Sequence, residues 1–305
     1  MSWQLATLRH VLRWGVRPVL ARVTSWTFAR RSFEVGARLT FRRVRGARSV
    51  PATGALAPGL WVEGGATPEH GVVLYLHGGA YLVGSPATYR HLAGRLARNT
   101  GCRIYLPDYP LAPEHPAPAA FDAALAVWRA LLAAGHRPSD IVIGGDSAGG
   151  GLALALLARL LAEGQPPAGC FVFSPWTDLT LSGASLDRNR NRDAVLPRAR
   201  MEEVRDMARG ALAPDDPRIS PLFAAYPGSP PVFIAWSETE ILRDDGARMA
   251  KTLTSGDTPV VTDVQPDAPH VWQLFHGWVP EADASLRKAG EFIREAFRAP
   301  RPGES

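Results

Sequence analysis

The sequence predicts an α/β protein in which a mostly parallel central sheet is flanked by helices. From Gly71 onward, short apolar runs alternate with segments of helical pattern, which is typical of the crossover units that build a parallel sheet. The chain has 305 residues, of which 46% are hydrophobic. That is enough to bury one large core and a small accessory layer, so we expect one main domain with a helical cap.

The predicted strands are short, and β-branched and aromatic residues are frequent in them. They are Val72–Leu76, Cys102–Leu106, Asp140–Gly144, Cys170–Ser174, Pro231–Trp236 and Val260–Val264. The predicted helices are longer and contain much Ala, Leu and Arg. They are Pro118–Ala134, Gly149–Glu163, Asp244–Thr254 and Glu281–Phe297. A polar, Arg-rich stretch at about 180–225 interrupts the alternation, and we interpret it as a cap insertion above the sheet.

The first 50 residues differ in charge from the rest of the chain. Eleven arginines and a single acid, Glu34, give this stretch a net charge of +10, whereas the whole chain carries +5. We predict that residues 1–50 form N-terminal cap helices and that residues 51–305 form the main domain. These arginines interleave with apolar residues that pack helices, so we expect no nucleic-acid partner.

Residues 3–20 have the pattern of an amphipathic helix. Leu5, Leu8, Val11, Leu12, Val16 and Val19 recur at helical spacing. Arg9, Arg13 and Arg17 lie four apart on another face. A basic helix of this kind can lie on an anionic membrane surface, but a cap helix that packs its apolar stripe over an active site is the more common arrangement. The aromatic residues Trp3, Trp14, Trp26 and Phe28 either line an apolar pocket or pack the cap.

The composition also predicts where the protein resides. No run approaches the ~20 apolar residues of a transmembrane helix, and arginines interrupt the apolar runs of the first 30 residues, unlike a secretory signal. Cys102 and Cys170 lie far apart in apolar stretches, which favours buried free thiols over a disulfide or metal site. We therefore expect a soluble cytoplasmic protein without stable membrane insertion.

A candidate nucleophile lies at the corner between a predicted strand and a predicted helix. The segment Gly145-Asp146-Ser147-Ala148-Gly149 joins Asp140–Gly144 to the helix that follows. This is the context of a nucleophile elbow, in which a tight turn exposes the serine hydroxyl and only small residues fit two positions before and after it. We interpret Ser147 as a catalytic nucleophile.

A serine hydroxyl needs a histidine base and a carboxylate, which follow it in the order acid, then histidine. Of the eight histidines, only His270 and His276 follow Ser147. His270 comes just after a predicted strand and is our candidate base, whereas His276 is interpreted as a packed or surface residue. The loop after Pro231–Trp236 offers four acids, of which the first two are the better loop candidates: Glu238, Glu240, Asp244 and Asp245.

Amide donors for a developing oxyanion are predicted at a second loop. The strand Val72–Leu76 runs into His77-Gly78-Gly79-Ala80, where glycines let bare N–H groups face a ligand. Such donors contribute roughly 10²–10³ each in rate. We predict an oxyanion hole made by the N–H groups of Gly78, Gly79 and Ala148, with His77 bracing the loop.

Together these segments resemble the bacterial hormone-sensitive-lipase-like esterases of the α/β-hydrolase superfamily. The resemblance covers residues 70–295 and rests on five motifs: His77-Gly78-Gly79-Ala80-Tyr81, Asp108-Tyr109-Pro110-Leu111-Ala112-Pro113-Glu114-His115-Pro116, Gly145-Asp146-Ser147-Ala148-Gly149-Gly150, Ser174-Pro175-Trp176-Thr177-Asp178-Leu179 and Pro269-His270-Val271-Trp272. It implies an α/β-hydrolase fold, hydrolysis of short- to medium-chain acyl esters, no cofactor and a possible homodimer. Its acid pattern falls on Glu240-Ile241-Leu242-Arg243-Asp244 and so implies Glu240 as the triad acid.

The resemblance leaves the substrate open. The arrangement is also similar to hydrolases that open cyclic esters of terpenes and to deacetylases or amidases that use the same triad. A rival of another class is a small-ligand receptor on the same scaffold, as in plant gibberellin receptors, which lack a working histidine. The presence of His270 favours an enzyme. The sequence departs from the family pattern at two positions. Most members that have Asp directly before the serine also have Asp as the triad acid, whereas this chain has Glu240. Ala80 replaces the third glycine of the family's loop.

Overall fold

An eight-stranded sheet forms the centre of the molecule in a computed structural model that describes residues 1–56, 58–65 and 71–298. Its strands are β1 Arg48–Pro51, β2 Gly59–Glu63, β3 Val72–Leu76, β4 Arg103–Pro107, β5 Ile141–Asp146, β6 Gly169–Phe173, β7 Val232–Ser237 and β8 Val260–Gln265. Their order is β1-β2-β4-β3-β5-β6-β7-β8. The pairs β1–β2 and β2–β4 are antiparallel, and all later pairs are parallel. The predicted mostly parallel sheet is confirmed, with two additional antiparallel strands before Gly71.

The main helices are α1 Trp3–Val11, α2 Arg17–Leu20, α3 Trp26–Thr40, α4 Pro86–Thr100, α5 Ala119–Ala133, α6 Ser147–Ala162, α7 Ser185–Arg188, α8 Met201–Arg209, α9 Arg243–Ser255 and α10 Pro280–Arg298. Helix α4 was not predicted, because its apolar positions are separated by arginines and polar residues. Ser85 caps it by accepting the N–H of Thr88, and Gly101 ends it in the left-handed region. No helix in the described ranges is long and apolar enough to cross a bilayer.

The sheet separates two layers of apolar packing, as alternate residues of β3 show. Val72, Leu74 and Leu76 face the layer that contains α5, α6 and α9. Val73 and Tyr75 face the layer that contains α4 and α10, against which α1 and α3 also pack. The sheet is therefore covered on both faces, as expected for parallel strands. Cys102 and Cys170 are both buried and free.

Residues 3–20 form the predicted helix, which we call the first helix. It is a continuous run of α1, a π-helical stretch over Leu12–Val16 and α2. Leu5 and Leu12 are buried. Its arginines face the body: Arg9 pairs with Asp267, and Arg13 donates to the carbonyl of Asn191 in the 180–225 segment.

The orientation of this helix differs in part from the expectation, because several residues of its apolar stripe face outward while its arginines face the body of the protein. Val11, Val16 and Val19 are exposed because the arginines occupy the flank next to the body. The large aromatics Trp3 and Trp14 are also exposed, as is Phe28 on α3. They neither line a pocket nor pack the cap, so both interpretations of these three residues are wrong. Trp26 is half-buried, with the guanidinium of Arg200 at 5.9 Å from its ring.

Candidate active site

Ser147 lies at the sharp turn between β5 and α6. Its φ is +52°, a left-handed value that is costly for a residue with a side chain. A Cβ atom at Gly145 would lie 2.4 Å from the carbonyl oxygens of Leu76 and Gly149. A Cβ atom at Gly149 would lie 2.2 Å from the carbonyl oxygens of Leu76 and His77. The turn therefore requires glycine at both positions, for the reason that the sequence predicts.

Ser147, His270 and Glu240 form one line of hydrogen bonds. Ser147 Oγ lies 2.9 Å from Nε2 of His270, and Nδ1 of His270 lies 2.7 Å from Oε2 of Glu240. The glutamate is fully buried, and the histidine and the serine are 8 and 9% exposed. Glu240 follows β7 and His270 follows β8, so parallel strands deliver both to the same sheet edge as β5 delivers Ser147. The structure thus brings together three residues 30 and 123 positions apart.

The electrostatics of His270 suit a proton acceptor held near a carboxylate. Burial lowers the pKa of His270, but the hydrogen bond and the negative charge of Glu240 outweigh burial and raise it above its usual value. Two further buried carboxylates, Asp193 and Asp146, raise the pKa of His270 in the same direction. The imidazolium that forms when His270 accepts the proton of Ser147 is therefore stabilised.

Glu240 is fixed by its other oxygen. Oε1 accepts the N–H of Ser237 at 2.7 Å and the hydroxyl of Ser174 at 3.1 Å. Ser174 Oγ in turn accepts the N–H of Val271, next to the candidate base, at 3.2 Å. Ser174 belongs to one of the motifs of the resemblance, but its place between acid and base could not be deduced from its position in the sequence.

The three other acids of this loop are engaged elsewhere. Glu238 accepts from Arg243, Asp244 accepts the N–H of Ser185, and Asp245 accepts the N–H of Thr177 and of the next residue. None of these contacts involves His270. Among the four candidates, the structure therefore places only Glu240 against His270.

Residues of the 180–225 segment hold in place the loop that carries Glu240, which we call the acid loop. The sequence does not predict this role. The side-chain amide of Asn189 donates to the carbonyl oxygens of Glu238 and Glu240 at 3.0 and 2.8 Å. Oδ2 of the buried Asp193 accepts the N–H of Ile241 at 2.8 Å. Burial raises the pKa of Asp193. These partners lie about 50 residues before the loop, and no local motif marks them.

The predicted amide donors require one correction. The N–H of Gly78 donates to Oδ1 of Asp146 at 2.9 Å, so Gly78 does not face the cleft. A Cβ atom at position 78 would lie 2.1 Å from Oδ2 of Asp146, so this glycine makes room for the carboxylate. Within the described residues, the N–H groups of Gly79 and Ala80 have no acceptor. Gly79 and Ala80, rather than Gly78 and Gly79, are the loop's available donors.

Asp146 connects this loop to the serine turn. Its two oxygens accept the hydroxyls of Tyr75 and Tyr89 at 2.8 and 2.9 Å, in addition to the N–H of Gly78. Burial raises the pKa of Asp146 to about 6, although these hydrogen bonds act in the opposite direction. Ala148 lies in the first turn of α6, where amide groups lack intrahelical acceptors.

The two remaining histidines of interest are packed side chains. His77 stacks on Tyr109 with ring centroids 4.3 Å apart, and its Nδ1 donates to the carbonyl of Gly78 at 2.8 Å. Burial lowers the pKa of His77 to about 4, and burial also lowers that of His276 to about 4. Both rings are therefore neutral near pH 7, and His77 braces the loop as predicted.

Comparison with known proteins agrees with this geometry. A family model described as the alpha/beta hydrolase fold matches residues 73–274. An esterase of Acinetobacter venetianus is 40% identical over 223 residues, which cover 72% of this chain and 74% of that protein. An acetyl-hydrolase of Streptomyces hygroscopicus is 38% identical, covering 77% and 79%. The crystal structure of an esterase from the bacterial hormone-sensitive lipase family superposes with a TM-score of 0.90 at 32% identity, over 97% of this chain and 99% of that one.

Proposed function

The chain belongs to the hormone-sensitive-lipase-like esterase family of α/β-hydrolases and is a carboxylic ester hydrolase, and we propose that it cleaves short- to medium-chain acyl esters or lactones through an acyl-enzyme on Ser147. The observation that carries the proposal is the unbroken line of hydrogen bonds from Ser147 through His270 to Glu240. A hydroxyl is a poor nucleophile at neutral pH, and this line supplies the base that activates it.

In the first half-reaction, Nε2 of His270 accepts the proton of Ser147 as Oγ attacks the ester carbonyl. Glu240 keeps the proton of the resting imidazole on Nδ1, which leaves Nε2 free to accept, and it stabilises the imidazolium. The N–H groups of Gly79, Ala80 and Ala148 stabilise the oxyanion. The imidazolium then protonates the leaving alcohol, and the acyl group remains on Ser147.

In the second half-reaction, His270 removes a proton from water, which attacks the acyl-enzyme from the side that the alcohol has left. The same amides stabilise the second oxyanion. Collapse returns the proton to Ser147 and releases the carboxylic acid.

We also propose that the N-terminal helices and the 180–225 segment act together as the cap. Hydrogen bonds tie the two regions to each other: Arg17 donates to the carbonyl of Arg190 at 2.6 Å, and Arg200 donates to the carbonyl of Val23 at 2.8 Å. Asn189 and Asp193 of the same segment hold the acid loop. Cap position and acid position are therefore coupled.

The proposal is tested with p-nitrophenyl acetate and butyrate on the wild-type enzyme and on Ser147→Ala. Loss of the nucleophile should lower kcat about 10⁴–10⁶-fold, while Ser32→Ala, at an exposed serine of α3, should leave it unchanged. A serine-reactive organophosphonate should label Ser147 in the wild type. Equal ester turnover by Ser147→Ala would overturn the proposal. The acetyl-hydrolase relative makes acetyl esters the first members of a substrate panel that extends to terpenoid lactones.

A further inference from the structure

The two N-terminal helices turn a row of large apolar side chains away from the protein. On the first helix, Trp3 and Trp14 are 73 and 75% exposed. On α3, Phe28, Val35 and Leu39 are 58, 54 and 79% exposed. The spacing of each set places it along one helix face. Exposed residues that follow a helix face in this way indicate an interaction surface rather than scattered surface apolar residues.

The orientation of these helices is fixed by their opposite faces. Leu5 of the first helix and Ala37 of α3 are buried in the same apolar cluster, together with Phe41. Arg9 adds an ion pair to Asp267. Rotation that hid Trp3 or Trp14 would expose these buried residues and break this pair. The outward apolar row is thus a stable feature of the fold.

The stretch of chain that carries these apolar residues is strongly positive. Residues 1–50 carry a net charge of +10. Arg31, Arg43 and Arg48 are exposed and, among the described residues, form no ion pair. The only acid of the stretch, Glu34, pairs with Arg38. The guanidinium groups therefore remain available for an anionic partner.

A basic groove lies at the end of the first helix. It has a volume of about 520 Å³, and its charged lining consists of Arg17, Arg22, Arg190, Arg198 and the single acid Asp187. Nε of Arg17 is buried and has no hydrogen-bond partner in the described parts of the chain. The groove begins one helical turn beyond Trp14, so an anion-attracting groove lies next to the end of the helix that carries Trp3 and Trp14.

We propose that this surface, formed by Trp3, Trp14, Phe28, Val35 and Leu39 with the neighbouring arginines, docks reversibly on a bilayer of anionic phospholipids. Aromatic side chains with flanking arginines are the composition of interfacial membrane binding, and each arginine near an anionic leaflet adds to the attraction. A second copy of the chain is a poorer occupant, because two faces of like charge repel. Docking uses the N-terminal helices and the basic groove at their end and does not depend on the catalytic residues; combined with the proposed function it would favour esters carried in membranes.

The test measures binding of Ser147→Ala protein to sedimented vesicles, so that the result does not depend on hydrolysis. Vesicles of phosphatidylcholine with phosphatidylglycerol should bind at least tenfold more protein than vesicles of phosphatidylcholine alone, and added salt should reduce the difference. The pair Trp14→Ala/Leu39→Ala and the pair Arg31→Gln/Arg43→Gln should each weaken binding about tenfold.

Matched controls lie on the other side of the sheet. Phe223→Ala removes an aromatic ring that is 48% exposed, and Arg129→Gln removes a guanidinium that is 59% exposed. Both should bind as the parent protein does, and an unchanged melting temperature should show that every variant is folded. The proposal is overturned if the two vesicle types bind alike, if the four substitutions leave binding unchanged, or if Trp14→Ala/Leu39→Ala instead dissolves a dimer seen by sedimentation.

Discussion

The two walls of the active site are held in different ways. On the serine side, a tight turn holds Ser147 between Gly145 and Gly149, where a Cβ atom would meet backbone oxygens, and the adjoining Asp146 accepts the N–H of Gly78, 68 residues away. On the acid side, Glu240 depends on Ser174, 66 residues away, and the adjoining N–H of Ile241 depends on Asp193, 48 residues away. Both walls use long-range hydrogen bonds, but only the serine wall also contains a tight turn with no free space around it.

This difference decides how much each wall tolerates change. A turn whose glycines touch backbone atoms has no room to adjust, since the obstructing atoms belong to the sheet. A loop that is held by several separate side chains loses one hydrogen bond at a time. We therefore expect abrupt loss on the serine wall and graded loss on the acid wall, except at Glu240, which contacts the base directly.

Among the residues that support the nucleophile, the largest effect is expected for Glu240→Gln. The amide of glutamine can donate to Nδ1 of His270, which favours the tautomer with the proton on Nε2 and blocks proton transfer from Ser147. We expect kcat/KM for p-nitrophenyl acetate to fall roughly 10³–10⁴-fold. Glu238→Gln and Asp244→Asn are the matched controls and should retain activity within a few-fold. A crippled Asp244→Asn enzyme would instead identify a different acid.

The pH profile of the same variant gives an independent check. Catalysis requires neutral His270, so activity falls as pH drops through the pKa of this residue. In the wild type, the hydrogen bond and charge of Glu240 outweigh burial and raise the pKa of His270. The acid limb of the wild-type pH–activity profile therefore lies at higher pH than it would with a histidine of ordinary pKa. Loss of the charge lowers the pKa, so the residual activity of Glu240→Gln should persist to lower pH. An unshifted acid limb would contradict the assignment.

The second effect concerns stability and separates two adjacent glycines. At Gly149 a methyl group would lie 2.2 Å from backbone oxygens, whereas at Gly150 it would lie 3.1 Å from Cβ of Pro175. We expect Gly149→Ala to cost about 1–3 kcal/mol of unfolding free energy through overpacking. At Gly150 the close contact with Pro175 opposes the higher helix propensity of alanine, which is about 1 kcal/mol. Because the two effects offset each other, Gly150→Ala should be nearly neutral. Equal melting temperatures would show that the turn can relax.

How far the sequence predicts the molecule depends on whether a feature is local or requires contacts between distant residues. The six parallel strands and the Ser147 turn are encoded by local patterns, and their predicted bounds differ from the structure by at most two residues. Strand β1 is exposed at the edge of the sheet, β2 beside it is only partly buried, and neither has a strong apolar run. The roles of Asn189 and Asp193 depend on tertiary contact and leave no local signal.

The corrections have equally specific physical causes. Gly78 and Gly79 look alike in a glycine loop, and only the position of Asp146 distinguishes an amide that is already bonded from one that is available. On the first helix, periodicity correctly predicts an amphipathic helix. It cannot show that Asp267 draws Arg9 to the inner flank and leaves Trp14 outside.

A third prediction tests the link between the two parts of the serine wall. Asp146→Asn keeps the size of the side chain but replaces one acceptor oxygen by a donor, which conflicts with the donors around it: Tyr75, Tyr89 and the N–H of Gly78. The displaced loop should lower kcat roughly 10–100-fold with little change in KM. Tyr89→Phe removes a single hydrogen bond from the same carboxylate and should have a smaller effect. A change confined to KM would place Asp146 in substrate binding instead.

The smallest effect is expected on the acid wall, at Asp193. If the oxygen of Asn still accepts the N–H groups of Val195 and Leu196, Asp193→Asn leaves the buried N–H of Ile241 facing a donor. An unsatisfied buried donor costs about 1–3 kcal/mol, but the loop shares this support with Ser174 and Asn189, so we expect kcat to fall only about fivefold. Because the negative charge of Asp193 raises the pKa of His270, the acid limb should also shift to lower pH, by less than in Glu240→Gln. A merely structural aspartate would lower the melting temperature without that shift. A loss as large as that of Glu240→Gln would mean that the acid wall, too, fails as a unit.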